Sequence, residues 1–176
     1  MGDAVMGNNQ FEEIAIDDFE GKWLVLFFYP ADFTFVCPTE LEELADKYSE
    51  LQELGAEVVS VSTDTHFSHL AWKNASPAIK KIKFPMLGDA SGETSRLYGV
   101  YQEENGLDKR GTFIIDPEGV VRSIEIASEG LGRSVDETIR KIKALKYMAE
   151  NPGVVCPNKW AEKGTLKPGE DLVGKI

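Results

Sequence analysis

The sequence predicts an α/β protein: one layered domain around a mixed central sheet flanked by helices, with an extended C-terminal tail. Three observations predict it. Short apolar runs alternate with segments of helical periodicity, the pattern of strands linked by crossover helices. One pair of runs flanks Asp116-Pro117-Glu118-Gly119, a turn signal that adds an antiparallel hairpin. After Asn151-Pro152-Gly153 the periodicity fails. The domain reading is therefore 1–150, with a tail over 151–176. A chain of 176 residues has the size for one such core.

The elements follow in order. Trp23 to Tyr29, WLVLFFY, is a continuous apolar run and reads as a central strand buried on both faces. Leu41, Leu44, Tyr48, Leu51 and Leu54 recur at spacings of three and four, so roughly 38–54 reads as one amphipathic helix. Pro38 suits its first position and Gly55 its end. Glu57–Thr63 is a second strand, and Thr65 to about Asn74 a helix closed by Ser76-Pro77. Phe84–Leu87 is a short strand interrupted by a proline. Thr112–Ile115 and Val120–Ile126 form the hairpin. Ser134 and Glu137 read as a capping box opening a helix to about Ala149.

Charge and composition remove several function classes. Nineteen Lys and Arg stand against 30 Asp and Glu, a net charge of −11, which argues against nucleic acid or anionic membrane as the main partner. No apolar run reaches the roughly 18 residues of a membrane span, and MGDAVMGNNQ has neither the basic nor the apolar region of a signal peptide, so the expected location is the cytoplasm. Two scattered Cys and two His do not make a metal set. His66 and His69 are read as helix-surface or interface residues and Trp72 as packing.

The chemistry concentrates in YPADFTFVCPTE, Tyr29 to Glu40. Cys37 stands at a helix start, where aligned peptide dipoles favour an anionic sulfur, the reactive form of a thiol. Thr34 lies three residues earlier, and a tight turn would bring its hydroxyl to the sulfur as a donor. Pro30, Phe33 and Phe35 are candidates to exclude water. On these residues alone Cys37 reads equally as a buried core cysteine, and Arg110 as a surface cation beside Lys109.

The text as a whole resembles the typical two-cysteine peroxiredoxins, in particular the bacterial alkyl hydroperoxide reductase C branch. The resemblance rests on Pro30-x-x-x-Thr34-x-x-Cys37 and on FYPADFTFVCPTELEEL, SVSTDTHFSHLAW, RGTFIIDPEG, GRSVDETIR, VCPNKW and DLVGKI. It implies a thioredoxin-like fold and a thiol-dependent peroxidase reducing hydrogen peroxide and organic hydroperoxides. Cys37 would be the peroxidatic cysteine and Cys156 the resolving one, joined in an intersubunit disulfide. Thr34 and Arg110 would contact thiolate and peroxide, Pro30 would shield them, and Glu40 and Arg133 would support the site.

No bound cofactor is implied. The electron donor would be a flavoprotein disulfide reductase fed by NADH or NADPH, or a thioredoxin-like protein. The assembly would be a homodimer building a decamer, a pentamer of dimers. Two other classes compete: a thiol–disulfide oxidoreductase, which would want CxxC where position 34 is Thr, and a chaperone-like ring scaffold. The chain lacks the Gly-Gly-Leu-Gly loop and Tyr-Phe pair of oxidation-sensitive relatives, which implies resistance to over-oxidation. Only Met1-Gly2-Asp3 precedes the AVM text, so the family's first strand is expected to be missing or shortened.

Overall fold

The computed structural model describes residues 1–161 and 164–174. It divides into two compact units, Met1–Val135 and Asp136–Ile176. The first is built on a seven-stranded sheet in the order β2-β1-β5-β4-β3-β8-β9. Its strands are β1 (Gly2–Val5), β2 (Phe11–Ile14), β3 (Trp23–Phe28), β4 (Ala56–Ser62), β5 (Met86–Gly88), β8 (Arg110–Ile115) and β9 (Val121–Ala127). A small separate hairpin joins β6 (Tyr101–Gln102) to β7 (Leu107–Asp108). The helices of this unit are α1 (Cys37–Asp46), α2 (Tyr48–Glu53), α3 (His66–Ala75) and α4 (Glu93–Leu97).

The apolar run at Trp23 becomes the middle of the sheet. All six residues of β3 are buried. It pairs in parallel with β4 and antiparallel with β8, so Leu26 faces Val59 on one side and Phe113 on the other. The pleat sends Leu24, Leu26 and Phe28 into one core with Val59, Val61, Leu87, Phe113 and Ile115. The β8–β9 hairpin turns where expected. Asp116 Oδ1 accepts from the amides of Glu118 and Val120 at 3.1 and 2.8 Å, and Gly119 takes the left-handed φ of 80° that closes the turn. Parallel pairing at the centre and antiparallel hairpins at both edges make the sheet mixed, as predicted.

Three expectations change. The stretch 38–54 is two helices: α1 starts one residue earlier, at Cys37, and Lys47 leaves helical geometry at φ −101°, ψ 4°. The break lies beside Tyr48, whose hydroxyl donates to Glu57 Oε2 at 2.6 Å and whose ring meets Phe84 edge-on at 5.4 Å. The N-terminal edge is present. Gly2–Val5 pairs antiparallel with Phe11–Ile14 and, through Ala4 and Val5, with β5. His69 is fully buried and is no surface residue. It lies three positions from Trp72, also buried, so both belong to the packed face of α3. Trp72 is packing, as expected.

The second unit carries α5 (Val135–Glu150) and the segment after it. Glu137 accepts from Arg140 at 2.6 and 2.8 Å. Beyond Gly153, among the described residues, the chain forms one bridge between Val155 and Leu166 and a 3-10 turn at Glu170–Leu172, and the ring of Trp160 is set against Tyr147 at 5.3 Å. The last two residues of the DLVGKI ending, Lys175 and Ile176, lie outside the described residues. Among the described residues no helix is long and apolar enough to cross a membrane.

One cluster in the first unit fixes a proton. Asp89 caps the short helix α4, accepting from the amides of Thr94 and Ser95 at 3.3 and 2.7 Å. The Ser95 hydroxyl lies 2.7 Å from Asp89 Oδ2 and 3.0 Å from Asp108 Oδ2. It has a single hydrogen to give. Both carboxylates compete for it, and Asp108 Oδ1 meets no partner among the described residues. Burial, reinforced by Asp89 and Asp64 and opposed by the Ser95 bond, holds Asp108 at about 7, up from an ordinary 3.8. The folded chain thus keeps a proton that the unfolded chain has released. This contribution to stability is full below about pH 4 and is lost as pH rises through about 7, a change of up to about 4 kcal/mol. Asp108→Asn, which mimics the protonated acid, is expected to remove that slope. Urea unfolding on either side of neutrality would show it, and an unchanged slope would contradict the assignment.

Candidate active site

The site begins where β3 ends. Tyr29 extends the parallel pairing by donating its amide to Val61 O at 2.9 Å, and Pro30 follows, buried. The chain then loops through Ala31–Val36 and enters α1. The amides of Thr39 and Glu40 and the Thr39 hydroxyl all donate to Val36 O. Cys37 is thus the first residue of a ten-residue helix, with Pro38 beside it in the first turn, where its missing N–H costs nothing. The sulfur is fully buried.

Glu40 stands one turn after Cys37 and therefore on the same face. Its carboxylate, 2% exposed, gathers two guanidinium groups. Arg110, the first residue of β8, donates from Nη1 to Glu40 Oε2 at 2.7 Å and to Cys37 Sγ at 3.3 Å, while its Nε donates to Glu129 O at 2.6 Å. Arg133 donates from its amide and Nε to Glu40 Oε1 at 2.8 and 2.9 Å, and from Nη2 to Oε2 at 3.2 Å. Its Nη1 reaches Gly111 O and Thr112 Oγ1, and its plane lies 3.5 Å from the centre of the Phe27 ring. Burial draws the Arg133 guanidinium below the ordinary arginine value and Glu40 pushes back. One carboxylate faces two cations, so an anionic sulfur at Cys37 brings the buried set to neutrality.

The other expected residues are placed differently. The Thr34 hydroxyl donates to Ala31 O at 2.9 Å, so its hydrogen is committed to the loop and what it has left to offer is lone pairs. Phe33 and Phe35 do not cover the sulfur: they are 57% and 92% exposed. Cys156 is half-buried in the second unit, its thiol 3.8 Å from Ala144 O. Burial raises it above the usual thiol range and Arg140 opposes the shift. Both cysteines are free thiols.

A second buried polar set escaped the sequence reading. Asp32 accepts from the Tyr29 hydroxyl at 2.8 Å and the Ser68 hydroxyl at 2.9 Å, and lies 2.8 Å from His69 Nδ1. Its amide donates to Asp64 Oδ2 at 2.8 Å. Burial, then Asp32, pushes the Tyr29 phenol well above its ordinary value, so it stays a donor. The available signal was the i, i+3 pairing of His69 with Trp72 on α3. That pairing already placed the imidazole indoors, where a buried partner becomes obligatory.

A thiol under a clamped arginine at a helix start matches the constellation expected for a peroxiredoxin, and comparison with known proteins decides the family. The AhpC/TSA family model matches residues 2–124. The chain belongs to the AhpC/TSA family. It is 54% identical to alkyl hydroperoxide reductase C of Salmonella typhimurium over 170 residues, 96% of this chain and 91% of that protein. Its identity to the Amphibacillus xylanus protein of the same name is 55% over 174 residues, 98% and 93% of the two chains. The crystal structure of Enterococcus faecalis AhpC superposes with a TM-score of 0.85 at 46% identity, covering 89% of this chain and 93% of that one. The reduced 2-Cys peroxiredoxin of Plasmodium vivax gives 0.90 at 36% identity, covering 97% and 90%.

The mixed sheet with flanking helices is accordingly the thioredoxin-like fold of the peroxiredoxins, and the chain is a thiol-dependent peroxidase. Family membership implies a peroxide substrate, an external reductant in place of a prosthetic group, and oligomeric assembly. The readings as a thiol–disulfide oxidoreductase or a ring scaffold are not favoured.

The clamp itself is testable within the AhpC/TSA fold. Removing the Glu40 carboxylate leaves two buried guanidiniums facing each other with no carboxylate between them. Glu40→Ala is expected to cost about 3–5 kcal/mol of stability, and Glu40→Gln, which keeps a hydrogen-bonding oxygen, less. Urea unfolding at neutral pH measures both; a loss under ~1 kcal/mol for the alanine variant would mean that the arginines find other acceptors.

Proposed function

We propose that the chain reduces hydrogen peroxide and organic hydroperoxides through Cys37. The observation that carries this reading is Arg110 Nη1 at 3.3 Å from the Cys37 sulfur while Glu40 fixes the same nitrogen at 2.7 Å. The thiolate attacks one peroxide oxygen in line with the O–O bond. That bond breaks, the distal oxygen leaves with a proton as water or alcohol, and Cys37 becomes a sulfenic acid. Arg110 stabilises charge spread over the two oxygens; its Nη2 hydrogens meet no acceptor among the described residues and suit an incoming oxygen. Thr34 acts as an acceptor for the peroxide O–H, and the buried Pro30 shields the sulfur from water. Glu40 and Arg133 position Arg110 and touch no substrate.

Cys156 then attacks the sulfenic sulfur of a second subunit, water leaves, and an intersubunit disulfide forms. Cys37 is fully buried, so this step requires local opening of the start of α1. In this reading residues 1–150 act as the peroxidase domain and 151–176 as the tail that presents the resolving thiol. An external dithiol reverses the disulfide by exchange: a flavoprotein disulfide reductase fed by NADH or NADPH, or a thioredoxin-like donor. A dimer built on the exposed Ile124 and Ile126 of edge strand β9, assembling further to a decamer, suits the family's oligomeric habit. The cytoplasm, a reducing compartment, suits two free thiols.

Variants of three residues test the reading. Cys37→Ser should abolish peroxide turnover, and Arg110→Ala should slow the peroxide step at least ~100-fold, about 2.7 kcal/mol, as for the loss of one well-placed donor; stopped-flow peroxide consumption decides both. Cys156→Ser should keep the first reaction and lose recycling. After one equivalent of peroxide the unmodified protein should run as a dimer on a non-reducing denaturing gel, and the Cys156→Ser variant should not. Because burial raises the Cys156 thiol, dimer formation should accelerate as the pH is made alkaline. A pH-independent rate would remove Cys156 ionisation from the slow step.

A further inference from the structure

Phe33 occupies a backbone region that its side chain disfavours. Its φ is 55°, the left-handed region, where a bulky residue is a strained outlier. The other non-glycine residues with positive φ among those described are Asn9 and Lys159. Phe33 is thus the only aromatic among them, and it sits between Pro30 and Cys37. Its ring does not justify the conformation by burial: it is 57% exposed and approaches Trp72 at 5.9 Å. Strain of this kind persists only where neighbouring groups over-determine the backbone.

The neighbours that do so converge on Asp32. Its carboxylate is 1% exposed and is held from three directions: the Tyr29 hydroxyl at 2.8 Å, the Ser68 hydroxyl at 2.9 Å and His69 Nδ1 at 2.8 Å. His69 is fixed in turn, its Nε2 lying 3.1 Å from Leu87 O. The Asp32 amide is fixed as well, on Asp64 Oδ2, which also receives the Ser62 hydroxyl. One residue beyond Phe33, the Thr34 hydroxyl returns to Ala31 O and closes the loop. The residue that follows β3, strands β4 and β5 and helix α3 all contribute to the grip on one loop residue.

We propose that Asp32 is a positioning residue: its buried bonds to Tyr29, Ser68 and His69 hold Phe33 in the left-handed conformation and so set the loop that places Thr34 and Cys37. The proposal rests on the reading of Cys37 as the attacking thiol. Asp32 touches no substrate. It keeps the closed loop populated against a relaxed one in which Phe33 returns to negative φ and Cys37 is no longer covered.

Glycine adopts positive φ without strain, so a double mutant separates the two effects. Asp32→Ala is expected to lower kcat/KM for peroxide at least roughly ten-fold, the equivalent of about 1.4 kcal/mol. Asp32→Asn should stay within about three-fold, since its amide can donate to His69 Nδ1 and its oxygen can accept from Tyr29. Adding Phe33→Gly to Asp32→Ala should recover most of the loss, whereas Phe33→Gly alone should change little. Where Asp32→Ala does not fold, Tyr29→Phe, which removes one donor and keeps the ring, replaces it with the same expected recovery by Phe33→Gly. A merely structural role predicts additive losses with no recovery, and that result, or a near-normal Asp32→Ala enzyme, overturns the proposal.

A readout that does not depend on peroxide separates this from the proposed function. In the Cys156→Ser background Cys37 is the sole thiol, and its alkylation by iodoacetamide should quicken at least about ten-fold with Asp32→Ala and slow again when Phe33→Gly is added. If the unmodified protein consumed no peroxide, the proposed function would fail while this coupling would still stand or fall by itself.

Discussion

The carboxylate of Glu40 is the constraint on which the site depends. It is buried, it accepts four hydrogen bonds, and it is the one anion shared by Arg110 and Arg133. Two guanidiniums brought this close would repel each other strongly in a low-dielectric interior. With Glu40 between them they become a rigid fork, one arm spent on scaffolding and the other left beside the sulfur. The strand β8 supplies Arg110, and the hydrogen bonds of Arg133 to Gly111 and Thr112 tie the fork to that same strand. The geometry around Cys37 is therefore set by the sheet as much as by the helix that carries the thiol.

A second polar set, centred on Asp32, grips the loop leading into that helix. The two differ in kind. The Glu40 set is charged and organises the guanidiniums beside the sulfur. The Asp32 set is largely hydroxyl and imidazole and organises only backbone. Low dielectric strengthens both, and makes each intolerant of a missing partner. The guanidiniums beside the sulfur and the backbone of the loop are thus held by separate anchors.

Sequence reasoning reached the fold and most of the site because both are written in local patterns. The apolar run at Trp23–Tyr29, the Asp116–Gly119 turn and the three-four spacing after Pro38 each state their structure within a few residues. Cys37, Thr34, Pro30, Glu40, Arg110 and Arg133 became legible through motif resemblance; spacing alone left Cys37 and Arg110 undecided. What stayed hidden depended on distant partners. The edge strands Gly2–Val5 and Phe11–Ile14 are four residues each and owe their form to pairing with one another and with β5. Helix α4 has five residues and is held by the Asp89 cap. The contact of His69 with Asp32 spans 37 positions, beyond any local pattern. The direction of the Thr34 hydroxyl could not be read either, because a carbonyl three residues away competed for it and won.

The three tryptophans are distributed as optical reporters. Trp72 lies 6.2 Å from the Tyr29 ring and 5.9 Å from the Phe33 ring, so its emission senses the loop. In the second unit Trp160, four residues after Cys156, rests on Tyr147 and senses the tail segment. Trp23 sits at the start of the central strand, paired with Ala56. Replacing Trp160 or Trp72 singly would leave one indole watching each thiol over a constant background. The chain thus carries its own two-channel fluorimeter, in which changes at the loop and at the tail segment could be followed separately without an added dye.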